Sequence, residues 1–147
     1  MTEILFYHLT SQPLARALPA LLEKCLERKW KVVVQATGDE RVAALDAALW
    51  TYADDSFLPH GAGQDGADEP VWLTATDQNP NAAAVRVLVD GAPPPALEGY
   101  QRALVLFDGA DPDALEAARA QWKALKAAGH DLTYWRQDED GRWRRQA

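Results

Sequence analysis

Residues 102–137 read RALVLFDGADPDALEAARAQWKALKAAGHDLTYWRQ, and this stretch decides the architecture. Arg102–Phe107 is a continuous apolar run of the kind that fills a strand covered on both faces. Asp111 and Pro112 then open a helix. Leu115, Ala118, Trp122 and Leu125 recur at helical spacing, and Gly129 ends the helix after about Ala128. Asp131–Gln137 returns to strand-forming residues. A strand, a helix and a second strand in this order form the repeating unit of a parallel sheet.

The alternation continues outward in both directions. Glu3–Tyr7 reads as a buried strand. Ser11 is a cap and Pro13 a first-turn residue for a helix carrying Leu14, Leu18, Leu21, Leu22, Cys25 and Leu26, which Pro19 should kink or restart. Lys31–Gln35 is a β-branched central strand. A helix from about Glu40 to Trp50 has Val42, Leu45 and Leu49 as its core stripe. After a long polar loop, Val71–Ala75 and Val85–Val89 are strands joined through the turn sequence DQNPN, and GAPPP forms a stiff connector. Toward the C-terminus, Gly141–Arg145 reads as a strand that pairs back on Asp131–Gln137 through a tight turn. The expectation is one α/β domain spanning 1–147, with a largely parallel sheet covered on both faces and a hairpin at one edge.

Composition narrows the function. The 147 residues are 48% hydrophobic, enough for a core, and no apolar run reaches a membrane span. The start, MTEILFYHL, reads as the first strand of the fold rather than a signal peptide, so the expected location is cytoplasmic. Cys25 is the single cysteine, placed among leucines as a small core hydrophobe. The net charge of −7 argues against coating nucleic acid with the whole surface. Its distribution is uneven. Residues 1–118 carry 8 basic and 18 acidic side chains, a net of −10, whereas residues 119–147 carry 7 basic and 4 acidic, a net of +3. A basic end on an acidic protein suits a small acidic partner.

Motifs for catalysis fail on context. Gly61-Ala62-Gly63-Gln64-Asp65-Gly66 spells GxGxxG, but no strand leads into it and no helix follows, and Asp65, Asp68 and Glu69 would repel a phosphate. There is no GxxxxGK[ST] and no GxSxG. His8, His60 and His130 lie far apart, and Asp54-Asp55 with His60 reads as a solvated loop. No catalytic residue, cofactor site or metal site is therefore expected. A small nucleotide-dependent enzyme would need a glycine loop after the first strand, where His8-Leu9-Thr10-Ser11-Gln12 has none.

Two surfaces remain. On the last helix Arg119, Lys123 and Lys126 form a stripe beside the apolar one, with Trp122 at the boundary, and no acid lies between Glu116 and His130 to balance them. The next strand adds Tyr134, Trp135 and Arg136. Aromatics beside unbalanced cations suit an acidic peptide with an apolar tip. The bland alternative is a core tryptophan beside a solvated charged face. Direct binding of single-stranded DNA by this basic, aromatic segment is a further alternative. The second surface surrounds Trp50, which lies outside its helix's core stripe, and Phe57, seven residues on in a polar loop. A loop folding back over its own helix would explain these two equally well.

These stretches also carry a resemblance. FYHL at the start, LLEKCLERKWKVVV, ALDAALWTYADDSFLPHG and WKALKAAGHDLTYWRQDEDGRW occur in this order along most of the chain and resemble the chi subunit of bacterial DNA polymerase III holoenzyme. The resemblance implies a three-layer Rossmann-like fold without nucleotide binding. It also implies an accessory role in DNA replication at the clamp loader, with catalysis in another subunit and DNA reached through single-stranded DNA-binding protein (SSB). By motif, Arg119, Trp122, Lys123 and Tyr134 would receive the acidic SSB tail, with Lys126 adjoining them on the stripe. Trp50 and Phe57 would face the psi subunit or an accessory helicase. A basic position one turn before Arg119 in some members is Leu115 here, which implies a less basic pocket.

Overall fold

The computed structural model describes residues 2–10, 14–51, 61–62, 70–76, 78–79, 82–89, 91–92, 95, 97, 99–140 and 142–146. For 15, 49–51 and 61–62 it describes the backbone alone. The elements are β1 (Glu3–Leu9), α1 (Leu14–Glu27), β2 (Val32–Gln35), α2 (Asp39–Thr51), β3 (Gly61–Ala62), β4 (Val71–Thr74), β5 (Val85–Leu88), β6 (Arg102–Asp108), α3 (Pro112–Ala127), β7 (Asp131–Gln137) and β8 (Trp143–Arg145). One sheet joins all the strands in the order β3-β4-β2-β5-β6-β1-β7-β8. Every neighbouring pair is parallel except β7–β8, the antiparallel hairpin at the edge. The expected α/β architecture and edge hairpin are thus present.

Strand alternation sorts the core into two layers. Leu5, Val32, Val34, Leu73, Leu104 and Leu106 face α1 and α2, packing on Leu18, Leu21, Leu22, Cys25 and Leu45. Ile4, Phe6, Val33, Val105 and Phe107 face the other way, onto Ala118 and Leu125 of α3 and onto Leu97 and Tyr100 of the connector before β6. Cys25 is buried, as its leucine neighbours predict.

Two details depart from expectation. Pro19 lies inside α1, which runs through it as one helix. Residues Gly61–Ala62, in the stretch read as loop, pair with Trp72 and Leu73 as a two-residue edge strand, so the glycine-rich letters begin on a sheet edge. The proposed cap Ser11 and the loop residue Phe57 lie outside the described residues.

A buried arginine is the least expected core member. Arg86, at the second position of β5, is fully buried. Its Nε and Nη2 donate to Gln35 Oε1 at 3.0 and 2.6 Å, and Nη2 also donates to the Thr76 carbonyl at 2.7 Å. Nη1 donates to the Gln78 carbonyl and to the Tyr100 hydroxyl, each at 3.0 Å. The planar fork thereby ties the segment after β4 to β2 and to the connector before β6.

Candidate functional site

The last β–α–β unit builds the candidate site. Asp111 caps α3 by accepting from the Asp113 and Ala114 amides at 3.0 and 3.4 Å, with Pro112 in the first turn. At the far end Gly129 takes φ +92°, a left-handed conformation that favours glycine. The chain turns there into β7, which pairs with β1 in the register Phe6↔Tyr134 and His8↔Arg136. This register brings residues near the start of the chain beside the last helix.

Five rings meet on this face. Trp122 of α3 stands edge-on to Phe6 at 5.3 Å between centroids and to Tyr134 at 5.9 Å. Phe107 packs 5.2 Å from His8 and 6.1 Å from Tyr134. The Tyr134 hydroxyl and His8 Nδ1 share a hydrogen bond of 2.7 Å. His8 is buried, and its other edge rests on Gly109, where a Cβ would stand 1.7 Å from Nε2. Gly109 is thus required by close approach.

Burial lowers the His8 pKa from the ordinary imidazole value. The Arg136 charge adds to this, the Asp108 carboxylate opposes it, and Arg119 lowers it further. Burial raises the Tyr134 phenol, against the pull of Arg119 and Arg136. Both guanidinium groups therefore bear on the same aromatic cluster, one from α3 and one from β7. Among the described residues, Arg119, Lys123, Lys126 and Arg136 form no ion pair.

The expected residues fare differently. Arg119, Lys123 and Lys126 are exposed on α3, and Trp122 and Tyr134 are half-buried beside them. Trp122 packs partly buried against the α3-side core layer, as the core reading has it, and part of it stays exposed. Trp135 points to the opposite face, packing against the core layer under α1. Leu115 is half-buried against the core. Trp50 ends on α2 with only its backbone described, and Phe57 lies outside the described residues, so the two are not brought together here. Sequence reasoning missed His8, Phe6, Phe107 and Gly109 as site members. In the sequence His8 reads as one of three dispersed histidines, although its position two residues after Phe6 in a strand puts it on the same face.

Fold and site together define a class: a three-layer α/β domain whose last β–α–β unit presents an aromatic wall flanked by unpaired cations. The family model for the DNA polymerase III chi subunit, HolC, matches residues 1–133, and the chain belongs to that family. The chain is 34% identical over 91 residues to a probable DNA polymerase III subunit chi from Rickettsia prowazekii, covering 60% of this chain and 55% of that protein. It is 32% identical over 76 residues to a DNA polymerase III subunit chi from Pseudomonas aeruginosa, covering 50% of this chain and 54% of that one. The chain thus spans about half the length of the curated relatives it matches. Among the described residues, no helix is long and apolar enough to cross a membrane. Tyr134 and all of β8 lie past the residues the family model matches.

Proposed function

We propose that this protein is a non-catalytic accessory subunit of the bacterial DNA polymerase III holoenzyme, acting in the cytoplasm by binding the acidic C-terminal tail of SSB on the face formed by α3 and β7. It links the clamp loader, through psi, to SSB-covered DNA, and touches DNA only through SSB. The observation that carries this reading is the Trp122–Tyr134 wall between Arg119 and Arg136, cations without carboxylate partners among the described residues. Family membership supports the choice of partner.

Such a tail carries several carboxylates and ends in proline and phenylalanine with a free carboxylate. The wall offers its ring an apolar surface. Arg119 can pair bidentately with a carboxylate, which a lysine cannot do, and Lys123 and Lys126 add diffuse attraction. These charges are exposed, so binding weakens as salt rises. Ordering a short flexible tail limits affinity to roughly the micromolar range. For Trp50 and Phe57 the proposed role is contact with psi or an accessory helicase, which rests on the family resemblance alone.

Titration of a labelled tail peptide into wild type, Arg119→Ala and Trp122→Ala tests the reading. Both substitutions should weaken binding at low salt. Unchanged binding by both across a range of salt would reject this face as the SSB site.

A further inference from the structure

The chain continues past the matched residues 1–133 into a hairpin, and that hairpin changes the candidate site. In β7, Leu132, Tyr134 and Arg136 share the α3 face by strand alternation, and Leu132 and Tyr134 indeed pack in the α3-side core layer. In β8, Arg144 lies directly opposite Arg136, so it shares that face. Gln146 follows on the same side, its amide donating to the Tyr134 carbonyl at 2.7 Å.

Arg136, Arg144 and Gln146 line a cavity of about 500 Å³. Thr10 and Gln137 form one wall, fixed to each other by Thr10 Oγ1 donating to the Gln137 carbonyl at 2.9 Å. Arg136 and Arg144 supply its cations, and Asp138 and Glu139 its acids. Asp138 is engaged internally. It accepts from the Asp140 and Arg142 amides at 3.0 and 2.9 Å and from Arg144 Nε at 3.1 Å, which lowers its pKa. Arg144 gives only its Nε–H in that bond and keeps the broad side of its fork for a ligand. Arg136 is exposed and follows Tyr134 by two residues on the same face of β7, so the cavity lies next to the aromatic wall.

We infer that Arg136 and Arg144 form a second cationic subsite that takes carboxylates of the acidic peptide upstream of its terminal residues, lengthening the footprint along β7 and β8. This rests on the proposed peptide reading of the α3 face. From Tyr134 to Arg136 is about 7 Å along a strand, and Arg144 is one strand further. Two or three extended peptide residues cover that span. Spaced carboxylates fit better than a nucleic-acid backbone does. Residues 134–147 hold four arginines against three acids clustered at 138–140, and that acidic turn repels a continuous run of phosphates.

Two synthetic peptides separate the claims. A four-residue peptide carries only the apolar C-terminus, and a nine-residue one adds upstream aspartates. Both are titrated by fluorescence anisotropy into the full chain. In wild type the long peptide should bind about five- to tenfold tighter at low salt, as two exposed charge pairs would give. The Arg144→Ala variant should lose much of that gain, yet bind the short peptide within about twofold of wild type, and the Arg136→Ala/Arg144→Ala variant should lose the rest of the gain. Glu139→Gln should enlarge the gain. A gain that persists in the double variant overturns the subsite while leaving the α3 reading intact. Failure of wild type to bind the short peptide, or binding indifferent to Arg119→Ala, overturns the α3 reading and the subsite with it. Arginine-dependent binding of an oligothymidylate in place of the long peptide overturns it in favour of nucleic acid.

Discussion

Replacing Arg86 with methionine removes a charge of similar length from the centre of the sheet. Arg86 is fully buried and spends its donors on Gln35 Oε1, the Thr76 and Gln78 carbonyls and the Tyr100 hydroxyl. Methionine fills much of the volume but donates nothing. The acceptors stay behind, and an acceptor buried without a partner costs roughly 1–3 kcal/mol. Some recover water, because Gln78 is exposed and Thr76 lies at the surface. Gln35 and Tyr100 are buried and recover least. The expected loss is about 3–5 kcal/mol, summed over the two buried acceptors and the partly rehydrated others. For a chain of this size that is a fall in melting temperature of roughly 6–20 °C. Urea unfolding followed by tryptophan fluorescence gives the free energy directly. Tyr100→Phe, which removes one acceptor and no donor of the fork, should cost about 1 kcal/mol. A loss below 1 kcal/mol for Arg86→Met would refute the view that this guanidinium ties the segment after β4 to the sheet.

Gly109→Ala should destabilise by roughly 1–3 kcal/mol, since the new methyl meets the buried His8 ring. It should also weaken tail-peptide binding by displacing Tyr134, and stability with peptide affinity both at wild-type level would remove Gly109 from the site. The His8 pKa is lowered in the folded state, so its neutral form stabilises the fold above about 6.5, and that contribution fades as the pH falls toward the folded value. The melting-temperature gap between wild type and His8→Gln should therefore narrow from pH 7.5 to pH 5, and a constant gap would contradict the assignment.

The repeating unit was readable because each of its parts is local. Asp111-Pro112 and Gly129 mark the ends of α3, and the branched run of β6 needs no partner to be recognised. Arg119 and Trp122 were readable for the same reason, as one helix displays both periodicities. His8 was not, because its role depends on β1 lying between β6 and β7, whose paired residues are 99 and 128 positions away in sequence. Arg86 was hidden for a related reason. In VRVLV it is one polar letter in a central strand, and its acceptors come from three other segments. The restart that was one alternative at Pro19 gives way to tertiary packing, since α1 runs through it with Leu18, Leu21 and Leu22 buried on either side.

Among the described residues both ends of the sheet are short, β3 of two residues and β8 of three, the latter bearing the exposed Arg144 and Arg145. Long, flat edges invite a foreign chain to zip on through its backbone, and short charged ones discourage it. On the proposed reading, an acidic tail arriving at β8 finds little main chain to pair with and is read by side chains. Such reading depends on spacing and charge rather than on strand propensity, so a tail can drift in sequence while its acidic pattern and its aromatic end are kept.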